Sequence, residues 1–344
     1  MAKRPASPRD SARLFVYDTA RDGIAFDTFS NLGRYLPPRS LLVLNDTKVV
    51  PARAVLRKET GGKVEVLFLV NEWRRPGPVP ALVDRKVSVG ARLYFDAGRS
   101  LAVVRQDGNI FYLKPDFPDE KLFEILDRRG VMPIPKYIKH SGLSEADLRE
   151  KYQTVFGRVP ASVAAPTASL HMTRRLLGKL ERQGVRKTFV TLNVGLGTFA
   201  PVSDGDLAAG TLHRESLEIP APAANMIRAQ KRAGRPVVAV GTTVVRTLEA
   251  GAARILAGGG GKGGAGRRTR AISGATRIFI RPPYEFKIVD ALVTNFHLPG
   301  TSLMMLVQAF LEHRHAKRTV VDLYRAAIAE KFRFYSFGDA MLLR

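Results

Sequence analysis

The sequence predicts a mixed α/β protein in which a main α/β domain carries a small antiparallel β-barrel as an insertion. A chain of 344 residues, 45% of them hydrophobic, is long enough for two domains with sizeable cores. Beyond residue 116, helical periodicity alternates with short β-branched runs, as in sheets covered by helices. Short strands separated by turns, typical of a small barrel, fill the preceding region. We therefore assign residues 1–61 and 116–344 to the main domain and 62–115 to the barrel.

The predicted elements follow one another along the chain in this order. Two short apolar strands, at residues 13–17 and 40–44, open the main domain. Strands of the barrel are predicted at 63–69, 92–95, 101–104 and 110–113. Beyond them, helices are predicted at 119–129, 170–183, 223–233, 243–256, 301–313 and 319–331, and strands at 187–194, 236–240, 277–280 and 286–295. The glycine-rich run 258–266 is expected to be a mobile loop.

Charge is the strongest compositional signal. The chain has 55 Lys and Arg against 31 Asp and Glu, for a formal net charge of +24. Residues 262–281 contain one Lys and five Arg without an acidic residue, and residues 174–187 are similarly basic. Such a field attracts polyanions and releases counterions when they bind. An arginine-rich composition that serves only solubility would look similar, but the clustering favours a nucleic-acid partner.

Cysteine is absent from the sequence, which excludes disulfides, thiolate metal sites and cysteine nucleophiles and is consistent with a reducing compartment. No apolar run approaches the roughly 18 residues of a membrane helix. The basic start of the chain is not followed by the apolar segment of a secretory signal. Without a His-x3-His pair, a transition-metal site is not expected. We therefore expect a cytoplasmic protein without a metal site.

Glycine and threonine follow two of the predicted strands. Glycine lets a ligand approach the backbone closely, and ligands of open α/β sheets bind beyond the carboxyl ends of strands. Ordinary turn and helix-cap chemistry would use the same residues, and neither stretch matches a dinucleotide fingerprint or a Walker motif. The candidate residues are Gly195, Gly197, Thr198 and Phe199 after one strand and Gly241, Thr242 and Thr243 after the other.

Two of the six histidines lie at positions suited to chemistry. His171 is close to a predicted helix start, and His297 follows a buried-looking strand. Histidine can exchange a proton near neutral pH, although a single histidine is often structural. Asn45 and Asp46 end another strand, with Arg53 shortly after, and could bind a ribose or a sulfonium. Asn-Asp is also a frequent turn at a strand end without any ligand.

The segment 332–341 interleaves aromatic residues with arginine. Such a run could stack a nucleobase, but an amphipathic strand that closes a sheet would look the same. From the residues alone, the sequence is that of a basic α/β enzyme or an RNA-binding protein.

Taken together and in this order, the motifs resemble the S-adenosylmethionine:tRNA ribosyltransferase-isomerase family. The resemblance extends over nearly the whole chain from residue 9. The matching stretches are 41–53, 59–66, 152–156, 162–167, 189–192, 197–199, 240–243, 246–249, 290–299 and 337–342.

The resemblance implies a reaction. In this family, a 7-aminomethyl-7-deazaguanine in the wobble position of tRNA receives the ribosyl part of S-adenosylmethionine. Adenine and methionine leave, and the product is epoxyqueuosine. The sulfonium acidifies the adjacent 5′ carbon, so the site requires a general base and a proton donor for adenine. S-Adenosylmethionine is a consumed substrate, no further cofactor is implied, and we expect a monomer.

The resemblance also assigns residues to roles. Catalysis is expected from His171, His297 and Asp46. Substrate binding is expected from Asn45, Arg53, Thr167, Asn193, Gly195, Gly197, Thr198, Phe199, Gly241, Thr242, Thr243, Arg246, Asn295, Tyr335 and Asp339. RNA binding is expected from Arg174, Arg175, Arg267, Arg268 and Arg270 in the basic clusters.

Several polar motif positions depart from the family pattern. Asn193 stands where the family usually has histidine, Ser169 replaces a glycine, and Gly300 replaces a lysine. Two alternatives therefore stay open: an S-adenosylmethionine-using paralogue with another acceptor, and an RNA-binding protein without catalysis.

Overall fold

The computed structural model of the chain describes residues 2–135, 138, 142–195, 202–257 and 270–344. A nine-stranded mixed sheet forms the centre of the main domain. From one edge to the other its strands are β15 (Ile272–Ile278), β13 (Thr211–Ile219), β12 (Arg186–Leu192), β3 (Leu41–Asn45), β14 (Val237–Val240), β16 (Ala291–Asn295), β17 (Ala340–Leu343), β1 (Arg13–Asp18) and β2 (Gly23–Thr28).

Four adjacent strands of this sheet, β12, β3, β14 and β16, are parallel. Strand β17 runs antiparallel to β16, with Ala340 opposite Asn295, so it begins where β16 ends. The carboxyl ends of the parallel strands and the amino end of β17 therefore share one edge of the sheet. In open α/β sheets this is the edge where ligands bind.

Helices cover both faces of the sheet. The helices of the described residues are α1 (Glu120–Arg129), α2 (Glu145–Lys151), α3 (Arg174–Arg182), α4 (Asp204–Ala209), α5 (Ala221–Arg232), α6 (Thr242–Ala257), α7 (Ser302–His313) and α8 (Val320–Ala329). Of these, α3 packs on one face of the sheet and α5 to α8 on the other, whereas α1 packs against the barrel and α2 joins a separate small core. In β3, Leu41 and Val43 pack into the core beneath α5 to α8, whereas Leu42 and Leu44 pack beneath α3. Because both faces are buried, such a strand is apolar throughout instead of alternating.

The inserted unit is a closed antiparallel barrel, as predicted. Its strands, in order around the barrel, are β10 (Ile110–Pro115), β7 (Val79–Val83), β6 (Lys63–Phe68), β5 (Arg53–Lys58), β8 (Arg92–Asp96) and β9 (Arg99–Asp107). Side chains such as Val64, Val66 and Leu93 alternate inward and fill its centre. Strand β5, which the sequence places in the main domain, pairs with β6 and β8; the division into 1–61, 62–115 and 116–344 stays a prediction.

A small two-stranded parallel sheet, formed by β4 (Thr47–Val49) and β11 (Val159–Ser162), lies between the sheet and the barrel. Of its two strands, β4 follows β3 directly in the chain. Within the described residues, no helix has the length and apolar character required to cross a membrane.

Three element predictions need correction. The helix predicted at 170–183 is divided into a 3₁₀ helix, Thr167–His171, and α3, because the Thr173 side chain accepts a hydrogen bond from Leu176 N at 3.0 Å and starts a new helix. The strand predicted at 286–295 is shorter, since only Ala291–Asn295 pairs in the sheet, and the one at 277–280 is displaced to Ile272–Ile278. Strands β2, β4, β5, β7, β11 and β13 and helices α2 and α4 were not predicted. The run 258–266 lies outside the described residues.

Candidate functional site

A cleft lies along the edge of the sheet where the parallel strands end. The volume of the cleft, including its open mouth, is about 660 Å³. Its walls are mostly apolar, with a few convergent polar groups, as is usual for small-molecule sites. The lining residues are Ala165, Pro166, Thr167, Ala168, Val194, Gly241, Thr242, Thr243, Thr294, Asn295, Phe296, His297, Leu298, Thr301, Leu303, Tyr335 and Ser336.

Asn295 joins the segments that form the wall of this cleft. Thr167 Oγ1 donates a hydrogen bond to Asn295 Oδ1 at 2.8 Å. The Asn295 amide nitrogen lies 3.4 Å from His171 Nε2 and 3.4 Å from the carbonyl oxygen of Asp339. The last residue of β16 therefore fixes the 3₁₀ helix and the segment before β17 relative to each other.

The two candidate histidines occupy different positions. His297 lines the cleft, and its Nε2 lies 2.8 Å from Thr294 Oγ1. His171 is only 4% exposed, packs against the ring of Phe29, and reaches the cleft only through Asn295. Burial lowers the pKa of each imidazole to about 4, and for His171 nearby Asp339 acts in the opposite direction. Both rings are therefore neutral near pH 7.

Asn45 and Asp46 make structural contacts at the end of β3. The Asn45 side chain donates to Leu192 O at 3.0 Å and to Thr243 Oγ1 at 3.3 Å, so it ties β3 to β12 and to the start of α6. The Asp46 carboxylate accepts hydrogen bonds from Thr191 Oγ1 at 2.7 Å and from Arg158 Nη2 at 2.6 Å. Neither residue lines the cleft.

Asp339 is held in a similar way. Its buried carboxylate accepts hydrogen bonds from the backbone and the guanidinium of Arg333, both at 2.8 Å, and from Arg13 N at 3.2 Å. It thereby shapes the loop before β17, which presents Tyr335 to the cleft with a left-handed φ of 76°. The phenylalanines of this run pack inward, among them Phe334 against Phe296, with ring centroids 4.8 Å apart.

The turn between β14 and α6 contributes backbone to the cleft. Gly241 has a φ of +98°, a conformation that favours glycine. Its N–H donates to Val293 O at 2.7 Å, and Thr242 and Thr243 follow in the first turn of α6. The structure thus brings these predicted residues together with Thr167, Asn295, His297 and Tyr335 around one space.

Comparison with known proteins assigns this architecture to a family. A family profile described as "Queuosine biosynthesis protein" matches residues 1–343. The chain belongs to the queuosine biosynthesis protein family. S-Adenosylmethionine:tRNA ribosyltransferase-isomerases from Anaeromyxobacter sp. and Thermus thermophilus are 43% and 44% identical to it, over 100% of this chain and 95% of each relative. A crystal structure of S-adenosylmethionine tRNA ribosyltransferase from Thermotoga maritima is 32% identical, with a TM-score of 0.53, and covers 100% of this chain and 96% of that one.

In this member of the family, a second group of polar residues lies beside the cleft, where the barrel meets the sheet. We call it the junction cluster; it consists of Asn71, Glu72, His213, Glu215 and Arg246. The fully buried Glu215 carboxylate pairs with Arg246 Nη1, lies 3.4 Å from His213 Nε2, and accepts Gly195 N at 3.3 Å. Burial raises the pKa of Glu72, and the nearby His213 acts in the opposite direction.

Sequence reasoning missed most of this cluster. Only Arg246 was a candidate, because the other four residues come from the barrel and from β13, more than 100 positions apart in the chain. Glu215 lies at an inward position of β13 between the buried side chains of Leu212 and Leu217, so a charged residue interrupts the expected apolar pattern. That interruption is a sequence signal that could have identified it.

Asn193 lies next to the cleft but does not line it. Its Oδ1 accepts a hydrogen bond from Thr47 Oγ1 at 3.2 Å, and its Nδ2 donates to Ser216 Oγ at 2.9 Å. The amide therefore connects β4 with β13. Asn193, a predicted substrate-binding residue, therefore lies behind the wall of the cleft, which its neighbour Val194 forms.

The remaining candidates are distributed over the surface. Arg53 pairs with Glu65 within the barrel and does not line the cleft. Arg174 and Arg270 are exposed, and Arg175 is largely exposed while it pairs with the buried Asp10 at 2.9 Å. Five candidates lie outside the described residues: Gly197, Thr198, Phe199, Arg267 and Arg268. Among the described residues, no group of three or more His, Asp and Glu is arranged to hold a metal ion.

Proposed function

We propose that this protein transfers and isomerises the ribosyl part of S-adenosylmethionine onto 7-aminomethyl-7-deazaguanine in tRNA, which gives epoxyqueuosine and releases adenine and methionine. It is a transferase of the S-adenosylmethionine:tRNA ribosyltransferase-isomerase type. The observation that supports this assignment best is full-length similarity at 41–44% identity to several proteins of that name, together with the cleft at the carboxyl edge of the sheet.

The cleft suits a small substrate with apolar and polar parts. Its mainly apolar walls are suited to adenine and the thioether carbons, and backbone around Gly241 leaves room for a close approach of the ribose. The hydroxyls of Thr167, Thr242 and Thr243 and the amide of Asn295 are available along one side. They provide donors and acceptors for the ribose hydroxyls.

His297 is our candidate for proton transfer. It lines the cleft, and its pKa of about 4 keeps the ring neutral and able to accept the proton that the sulfonium makes acidic at the 5′ carbon. The imidazolium that forms can then donate this proton to departing adenine. Thr294 orients the ring through the 2.8 Å contact with Nε2.

His171 and Asp46 act differently in this proposal. His171 is separated from the cleft by Asn295, so it positions that amide and does not touch the substrate. The Asp46 carboxylate accepts hydrogen bonds from Thr191 and Arg158, so it fixes the conformation of the strand end instead of acting as an acid or base. Of the three residues predicted to be catalytic, His297 is therefore the one that we assign to acid–base catalysis.

The tRNA partner fits the charge of the protein. The net charge of +24 attracts polyanions, and exposed arginines such as Arg174 and Arg270 are available for phosphates. We further propose that the protein works in the cytoplasm as a monomer and requires no metal or cofactor beyond S-adenosylmethionine, which it consumes.

One incubation tests the proposal. The protein is mixed with S-adenosylmethionine and tRNA that carries the 7-aminomethyl-7-deazaguanine precursor, and the digested nucleosides are analysed by mass spectrometry. Epoxyqueuosine, with equimolar adenine and methionine, is the expected result. Adenine release that needs no precursor in the tRNA would indicate another acceptor, and no release under any condition would overturn the proposed reaction.

A further inference from the structure

Arg246 presents an unused hydrogen-bonding edge in the junction cluster. The residue is 3% exposed, and its Nη1 pairs with Glu215 Oε2. Its Nε and Nη2 atoms are buried, and neither has a hydrogen-bond partner among the described residues. These two nitrogens lie along the same edge of the planar guanidinium, where their N–H groups run parallel. That spacing matches the two oxygens of a carboxylate.

Arg246 does not itself line the cleft, but it lies one helical turn beyond residues that do. Thr242 and Thr243, which line the cleft, precede Arg246 by four and three residues in α6, so all three project from the same face of the helix. Glu215, the partner of Arg246, also accepts Gly195 N, and Gly195 follows the cleft-lining Val194. The junction cluster therefore adjoins the cleft at the end of β12.

Glu215 holds the guanidinium in place. Its side chain is fully buried, and it contacts Arg246, His213 and the backbone of Gly195 at the same time. With Nη1 fixed in this way, Arg246 has little rotational freedom, and its Nε and Nη2 edge is oriented before any ligand arrives. A preorganised donor pair binds an oxyanion more tightly than a flexible one does.

We propose that the Nε and Nη2 edge of Arg246 binds the carboxylate of the methionine portion of S-adenosylmethionine, with Glu215 as its positioning residue. This inference rests on the proposed function and adds to it the group that recognises the amino-acid end of the substrate. An RNA phosphate would offer similar oxygens, but a guanidinium that is 3% exposed is far less accessible to a polymer than to a small molecule.

The test compares S-adenosylmethionine with decarboxylated S-adenosylmethionine, which lacks only the carboxylate, by isothermal titration calorimetry. The wild-type protein should bind the complete molecule at least about tenfold more tightly, as expected for a charge-assisted bidentate contact. In Arg246→Gln this preference should fall to near unity, and Arg246→Lys should retain only part of it. Because the two ligands differ in net charge, a wild-type preference alone does not establish the contact; its reduction in the Arg246 variants does, whereas the absence of any wild-type preference excludes the contact.

Arg254→Lys provides the matched control, because Arg254 lies on the same helix and is exposed. It should keep the wild-type preference. If Arg246→Gln does not fold, as judged by circular dichroism, the wild-type ratio and the Arg246→Lys ratio decide. Equal affinity of the wild type for both ligands, or a preference that persists in the Arg246 variants, would overturn the carboxylate assignment. Weaker tRNA binding in those variants with an unchanged ligand preference would also overturn it, in favour of a phosphate.

The results that would contradict the proposed function differ from those that would contradict the role of Arg246. A wild-type protein that binds neither S-adenosylmethionine nor its decarboxylated form contradicts the reaction itself. A protein that forms epoxyqueuosine but binds both ligands equally retains the reaction and loses only the role of Arg246.

Discussion

Acid should destabilise this protein through His171 well above the pH at which its carboxylates are protonated. The buried imidazole has a pKa of about 4 in the folded protein, whereas a histidine in the unfolded chain titrates near about 6.5. Between these values the unfolded chain binds a proton that the folded protein does not. The stability contributed by neutral His171 is therefore fully present above about pH 6.5 and is lost as the pH falls toward 4.

The size of the effect follows from the two pKa values. The complete loss, below pH 4, corresponds to about 3 kcal/mol, and about 2 kcal/mol of it should be gone at pH 5. Urea unfolding at pH 8 and pH 5, followed by circular dichroism, measures the difference. In His171→Gln the loss of stability between these two pH values should be smaller than in the wild type by about 2 kcal/mol.

The exposed His315 offers a matched control, and His315→Gln should retain the wild-type dependence on pH. His171→Gln will also lower stability at every pH, because it disturbs the contact with the Phe29 ring, so only the change between the two pH values counts. If wild type and His171→Gln lose the same stability between pH 8 and pH 5, the reasoning from burial is refuted.

Four further predictions concern the site and its partner. His297→Ala should reduce turnover by at least about tenfold with a far smaller effect on the melting temperature; equal losses of activity and stability would make the residue structural. Asn193→His should leave the pH–rate profile unchanged because the side-chain amide at this position only connects strands β4 and β13 through hydrogen bonds. A new ionisation near about 6.5 with faster turnover would contradict this. Gly195→Ala should cost about 1–3 kcal/mol of stability, since a Cβ there would lie 2.8 Å from Asn71 Nδ2; adding Asn71→Ala should recover most of it, and no recovery would place the clash elsewhere. Affinity for tRNA should fall steeply as salt rises, and Arg270→Gln should weaken it without changing S-adenosylmethionine binding; an affinity insensitive to salt would count against an RNA substrate.

The layered fold was predictable because its strongest signals are local. Strands β3 and β14 are short apolar runs that end in glycine or asparagine, and helices α6 and α7 show regular periodicity. Strand β13 was missed because its centre carries the buried Glu215, which the local pattern cannot explain. Its charge is compensated by Arg246, 31 positions away, so the compensation exists only in the folded chain.

The site was predictable in part. The turn residues around Gly241 and the pair Asn295 and His297 lie at strand ends, and the parallel order of the strands brings them together. Asp46 and Asp339 also lie at strand ends, yet neither carboxylate faces the cleft, because each accepts hydrogen bonds from an arginine side chain. Whether a carboxylate at a strand end is free for a ligand depends on side chains from distant segments, and no spacing in the sequence reveals that.

Among the strands of the described residues, only β17 pairs with both parts of the sheet, the β1–β2 hairpin and the strands from β16 to β15. It lies between β16 and β1, so Ala340–Leu343 carries the β1–β2 hairpin on one side and the ligand-binding strands on the other. The contact between Asp339 and Arg13 at this seam spans 326 positions of the chain. Closing so long a loop is slow, so this seam is expected to form late in folding. The cleft wall at Tyr335, a few residues before β17, therefore depends for its position on a pairing that forms late, so the ligand site is expected to be among the last parts of the domain to become ordered.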